Sequence, residues 1–183
     1  QQLFPGLIAP TTALGLIEIP AVRATVDTSE VGTYTPEVKS WLAVNPDSEL
    51  IPVARANGIT HFLPVPQGGT ITGQSGLMAT AGWGYENMLT HSPVALHLSW
   101  PSMNINPTAD DAKKQAKERD KRLKKIDNFF EEARAYAKSQ SDPGHKGVPS
   151  WDAMLPWVLG EKPLIIHANS VMQIESAVNW AIK

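Results

Sequence analysis

Four short apolar segments constrain the fold of this chain more than any other feature of its sequence. They are residues 3–8, 59–65, 94–100 and 164–168. Long stretches of loop-like or helix-like sequence separate them, whereas the strands of a hairpin would lie a few residues apart. The pattern predicts parallel strands with crossover connections. Near-continuous apolar character in the first and last segments predicts burial on both faces, as in an α/β protein.

The segment between the first two predicted strands, NPDSELIPVARANG, has the signals of a helix. Asp47 and Glu49 favour the positive end of a helix, and Gly58 suits the position just past its end. Pro52 lies inside this segment, so we expect the helix either to bend or to begin late. Further along, a short helix is expected at about 151–159. Ser170 with Gln173 predicts the capped start of a final amphipathic helix.

A long basic helix is predicted at about 108–139, where Thr108 and Asp111 have the spacing of a capping box. Its second half carries apolar residues three and four apart and should pack on a core. Residues 113–125 hold eight of the chain's 16 basic residues and only two acidic ones. A solvated helix face is favoured over a nucleic-acid patch, because no aromatic residue for base stacking is interleaved there.

Composition excludes several classes of protein. The chain has 183 residues, 42% of them hydrophobic and 19% charged, which suits one globular domain. It has no cysteine, which excludes disulfides, thiolate metal sites and cysteine nucleophiles. The net charge of −2 gives no global attraction to nucleic acid or membranes, and we expect neither as a partner. The alternation of strands and helices predicts an open doubly wound sheet or part of a (β/α) barrel.

The opening stretch PGLIAPTTALG resembles the first barrel strand of the amidohydrolase superfamily, whose usual wording is PGLIDAHTHLG. The resemblance continues in EIPAVRATVDTSEVG, NPDSELIPVARANGIT, PQGGTITGQSG, GWGYENM and KPLIIHANSVMQIESA. Together these stretches are similar to a divergent subgroup of imidazolonepropionase-like amidohydrolases, over most of the chain apart from the basic helix. The resemblance implies a partial (β/α) TIM-barrel-like fold with parallel strands. Residues 1–183 would be a fragment of it, because four strands cannot close a barrel of eight.

The two histidines of the family's first strand fall on Thr11 and Ala13. Threonine is a weak oxygen donor and alanine cannot bind a metal, so a binuclear site of the usual kind is not expected. One metal held by later strands remains open. His167, at the end of PLIIH, resembles the histidine ligand on the family's fifth strand, although it is on the fourth strand predicted here. The alternative is a histidine packed under the following helix.

Three further residues are candidates for binding substrate. Gln74 and Ser75 lie in the glycine-rich segment 66–76, which is predicted as a loop at the mouth of the barrel; the alternative is a tight turn. Asp27 follows the first strand, where a capping role is the alternative. His97, on the third predicted strand, is favoured as a packed structural histidine.

The resemblance also implies an activity. The complete protein would hydrolyse a non-peptide C–N bond of a small cyclic amide-type molecule with metal-activated water. The metal would be divalent, with zinc the expected ion, and this chain alone need not hold one. The alternative is a non-catalytic binding or structural relative that has lost the first-strand motif at Thr11 and Ala13. The expected partners are a small-molecule substrate and either the remainder of the protein or a second copy.

Overall fold

The computed structural model of the chain describes residues 4–106, 111–142 and 144–182. In this part of the chain, one sheet holds five strands in the order in which they follow each other along the chain. They are β1 (Leu7–Thr12), β2 (Ile59–Pro64), β3 (Ile71–Ala79), β4 (Leu89–Ser99) and β5 (Leu164–His167). The sheet curls into half of a barrel, which confirms the partial TIM-barrel-like α/β fold.

The strands of this sheet are paired partly in parallel and partly antiparallel. The pairs β1–β2 and β4–β5 are parallel, as the long connections predict. β3 runs antiparallel to both of its neighbours, β2 and β4. The four predicted strands therefore share one direction, and β3 is an additional strand inserted between them.

The helices lie between or after these strands. They are α1 (Leu50–Ala56), α2 (Gly84–Met88), α3 (Ala112–Ser139), α4 (Pro149–Val158) and α5 (Val171–Ala181). α1 begins late, so that Pro52 lies in its first turn, where a proline is tolerated. α5 begins with the predicted capping box between Ser170 and Gln173. Thr108, the predicted cap of the long helix, lies outside the described residues. No helix in the described ranges is long and apolar enough to cross a membrane.

The predicted glycine-rich loop at 66–76 was wrong over most of its length, because β3 begins at Ile71. Ile71 is fully buried and pairs with Leu98 of β4, so its burial favours a strand there. The glycine at position 73 permits an irregular ladder: its φ is +123°, and a Cβ would approach the carbonyl oxygen of Val38 to 2.7 Å. The pairing of β3 with β4 shifts register on both sides of this region.

The prediction that the first strand is buried on both faces was also wrong. Leu7 and Ile8 of β1 are 62% and 58% exposed. Among the described residues β1 is an edge strand that pairs with β2 alone, so strands and helices that could cover its apolar residues are missing on one side. β5, the other edge, is partly exposed along its whole length.

The larger of two apolar clusters joins the sheet to the last three helices. Leu96 and Leu98 of β4 are fully buried and pack in one cluster with Ile126 and Phe130 of α3. Met154 and Trp157 of α4 and Ala177 of α5 complete that cluster. A second cluster contains Phe62 of β2, Met78 of β3 and Ile51 of α1. The outer face of β4 thus anchors the second half of α3, as its apolar spacing predicts.

We expect Phe130→Ala to lower the free energy of unfolding by about 3–5 kcal/mol, because it empties a buried aromatic position. Phe130 is 3% exposed and makes an edge contact with the ring of Trp180. Urea unfolding followed by circular dichroism measures the change. Asn128→Ala, at an exposed position on the same helix, is the control and should change the value by about 0.5 kcal/mol or less. Equal small effects would mean that α3 does not dock as described.

Candidate functional site

Two histidines meet on one face of the sheet. His97 lies in β4, and His167 is the last residue of β5. In the parallel ladder Ser99 pairs with His167, and Ser99 is two residues beyond His97. Because strand side chains alternate between faces, His97 and His167 point to the same side. Nδ1 of His97 lies 2.9 Å from Nε2 of His167, and the rings stack with centroids 5.2 Å apart.

Burial keeps both imidazoles neutral. His97 is fully buried. Burial lowers the pKa of His97 to about 4, and repulsion from His167 contributes to the decrease. Burial also lowers the pKa of the half-buried His167. Two neutral rings can share one hydrogen bond, with one N–H donating and the other nitrogen accepting. The neutral ring is also the form of histidine that binds a metal.

Two buried polar atoms on this face have no protein partner among the described residues. They are Nε2 of His97 and the Oγ of Ser75. Ser75 pairs with Ala95, which is two residues before His97 on β4, so Ser75 and His97 share a face. Buried polar groups without a protein partner usually bind water or an ion. These two atoms are therefore candidates to bind a buried water or an ion.

The other predicted substrate-binding residues lie elsewhere. Gln74 is buried, and its Nε2 donates to the backbone oxygen of Pro36 at 2.9 Å, with a longer contact to the oxygen of Ala153. Asp27 is exposed and lines a cleft of about 480 Å³ together with Glu30 and Glu37. Neither histidine lines that cleft. Of the three candidates, only Ser75 lies on the face of the histidine pair, and substrate binding by all three stays a prediction.

The first strand adds no recognised metal ligand. Thr11 is the next-to-last residue of β1 and is exposed, and Ala13 follows the strand. Within the described ranges, no group of three or more His, Asp or Glu residues is placed to hold a metal ion. The described residues therefore supply two histidine donors at the sheet, His97 and His167.

Sequence reasoning missed the contact between the two histidines. His97 is buried, as predicted, and its ring contacts that of His167. The position of the two histidines in the sequence could have indicated this contact. Both histidines lie at or near the carboxyl ends of apolar strands, and such ends meet at one edge of a parallel sheet.

A curled sheet with strands of shared direction, crossover helices and histidines near the strands' carboxyl ends defines a partial (β/α) barrel. No protein-family model and no curated protein sequence matches this chain. Among solved structures, the chain is similar to an amidohydrolase from Thermotoga maritima MSB8, with a TM-score of 0.74 and 19% sequence identity. The match covers 98% of this chain and 49% of that chain. At this identity the likeness establishes the fold, and the chain spans about half the length of that protein.

The buried histidine should make stability depend on pH. The pKa of His97 is about 4 in the folded state and about 6.5 in an unfolded chain. Because the folded pKa is the lower one, the stabilisation is fully present above about pH 6.5 and is lost as the pH falls toward 4. The loss amounts to about 3 kcal/mol. Urea unfolding between pH 7.5 and 4.5 measures it.

The His97→Gln variant should lose most of this pH dependence, whereas His91→Gln, at an exposed position on the same strand, should retain it. An identical decline in wild type and His97→Gln would contradict the assignment of the effect to His97.

Proposed function

We propose that the complete protein is a metal-dependent hydrolase, a divergent relative of the imidazolonepropionase-like amidohydrolases. Its expected substrate is a small cyclic amide-type molecule, cleaved at a non-peptide C–N bond. The observation that carries the proposal is the neutral pair His97–His167 near the carboxyl ends of two adjacent parallel strands. In (β/α)-barrel enzymes this end of the strands holds the active site. The amidohydrolase-like fold supports the same interpretation.

The two imidazoles fit a divalent metal in part. Each neutral ring offers one nitrogen with a free lone pair, while its other nitrogen carries the proton. The contact of 2.9 Å between the rings is shorter than the separation of about 3.3 Å between two ligands at a tetrahedral zinc ion with bonds near 2.0 Å. The rings would therefore have to separate slightly around an ion. Catalytic zinc sites use three protein ligands, so we assign the remaining ligands to residues beyond this pair.

The chain's own residues would perform three tasks in this reaction. His167 and His97 would hold the metal, which would supply Lewis-acid activation of water. The apolar packing of β4 fixes the ring of His97, because Leu96 and Leu98 on either side of it are fully buried. The Ser75 hydroxyl, which lacks a hydrogen-bond partner among the described residues, would bond a polar group of the substrate or a water. Such buried polar groups provide orientation and specificity in small-molecule sites.

Metal analysis tests the proposal. The complete protein should contain about one equivalent of a divalent transition metal, with zinc the expected ion, by plasma mass spectrometry. His167→Ala should lower metal affinity at least tenfold and abolish hydrolysis of cyclic amides, because it removes a ligand. His91→Ala is the matched control, since that histidine is exposed and has no part in the pair.

A metal-free protein whose stability is indifferent to His167→Ala would overturn the hydrolase proposal. That result would support the alternative, a non-catalytic binding or structural relative. Metal binding without hydrolysis of any cyclic amide would leave the ion site intact but reject the proposed substrate class.

We also propose that the remainder of the protein covers the two sheet edges and the outer face of α5. Within the part of the chain that the structure describes, β1 and β5 end the sheet and leave backbone groups without a neighbouring strand. α5 exposes a row of apolar side chains: Val171, Ile174, Val178 and, just beyond the helix, Ile182. Exposed apolar rows of this kind usually mark an interface. A second copy of the chain is the alternative occupant.

We expect the polypeptide 1–183 by itself to self-associate at micromolar concentration, because these surfaces then lack their cover. Analytical ultracentrifugation measures its mass. Changing Ile174 and Val178 to Glu should shift the protein toward the monomer, while Glu175→Gln, an exposed change on the same helix, should not. A compact wild-type monomer would contradict the proposed interface.

A further inference from the structure

We propose that the basic half of α3 is a binding surface for the phosphate backbone of duplex nucleic acid. Six lysines form this surface, which we call the lysine stripe: Lys113, Lys114, Lys117, Lys121, Lys124 and Lys125. The sequence alone favoured a solvated helix face for this segment. The folded arrangement of the lysines argues for a phosphate surface instead.

The stripe is confined to one side of the helix. At about 100° per residue, the six lysines fall within a sector of about 120°, and no other residue of 113–125 lies in that sector. The buried residues Ile126 and Phe130 lie on the opposite side and dock on the sheet. At about 1.5 Å per residue the stripe is about 18 Å long. All six side chains are exposed, so one partner can contact them together.

No stripe lysine forms an ion pair within the described residues, and two exposed acids, Glu118 and Asp120, border the stripe. The ion pairs of α3 join Arg119 to Asp120 and Arg134 to Glu131, and none involves a stripe lysine. Several stripe lysines are instead three or four positions apart, where like charges destabilise a helix by a few tenths of a kcal/mol per pair. Lys117, for example, has Lys113 and Lys121 four positions away on either side. An external anion would relieve this repulsion.

The length of the stripe and its lack of aromatic residues favour a duplex as the partner. With both strands counted, a duplex carries one negative charge per about 1.7 Å of its axis, so about 18 Å of duplex carries about ten phosphates, of which those on the facing side can contact the lysines. Single strands are disfavoured, because they are bound through aromatic stacking and the stripe has no aromatic residue. A helix that lies in a membrane surface inserts an apolar face opposite its basic one. Here the apolar side of α3 faces the core and cannot insert.

Salt dependence tests the proposal in the complete protein. Fluorescence anisotropy with a labelled 20-base-pair duplex should show binding at 50 mM salt. The slope of log affinity against log salt should be about −5, as expected for six phosphate contacts. The double variant Lys121→Glu, Lys124→Glu should bind at least tenfold more weakly at 50 mM salt and lower the magnitude of the slope by about 2.

Two variants separate the stripe from net charge and from folding. Lys138→Glu with Lys146→Glu changes the net charge equally at exposed positions outside the stripe and should bind within about twofold of wild type. Lys121→Arg with Lys124→Arg keeps the charge and should bind like wild type. Circular dichroism should show the same helix content in all variants.

Three results would overturn the proposal. They are no duplex binding at 50 mM salt, equal weakening by the two charge-reversal variants, and binding to vesicles containing phosphatidylserine without binding to the duplex. The metal site is not involved, so His167→Ala should leave duplex binding unchanged. Failure of the hydrolase proposal and failure of this one are therefore distinguishable.

Discussion

The alternation of side chains along β4 is the constraint on which the rest of the structure depends. β4 pairs with β3 on one edge and β5 on the other, so its faces are fixed by two ladders at once. One face carries Leu96 and Leu98 to the three helices. The other face carries His97, which contacts His167 and shares that face with Ser75. A register slip of one residue would exchange these faces and would place an imidazole in the apolar cluster.

Sequence patterns predicted the parts of the fold that local chemistry decides. The four apolar segments became strands of one direction, and the Ser170–Gln173 pair capped α5. The patterns failed where the neighbouring strands determine whether a segment forms a strand or is buried. β3 contains glycines that suggest a loop, yet strands on both sides pair with it and Ile71 is fully buried. β1 has an apolar sequence but is exposed because it lies at an edge.

The site was predictable residue by residue but not as an arrangement. The position of His167 at the end of an apolar strand indicated a functional role, and the same signal existed for His97. Their contact depends on the register between β4 and β5, which residues 100–163 separate along the chain. Gln74 shows the converse. Its sequence position suggested a loop residue available to substrate. In the structure its side chain donates a hydrogen bond to the backbone oxygen of Pro36 and lies near that of Ala153.

The inserted strand β3 has a consequence for how the chain can fold. β2, β3 and β4 follow one another through the short connections 65–70 and 80–88, whereas residues 13–58 and 100–163 separate the parallel pairs. Closing a chain loop costs more entropy as it lengthens, by about 0.6 kcal/mol per doubling. The antiparallel meander therefore has the most local contacts of the sheet, and topologies rich in local contacts form fastest. It offers a nucleus onto which β1 and β5 add later, from opposite sides.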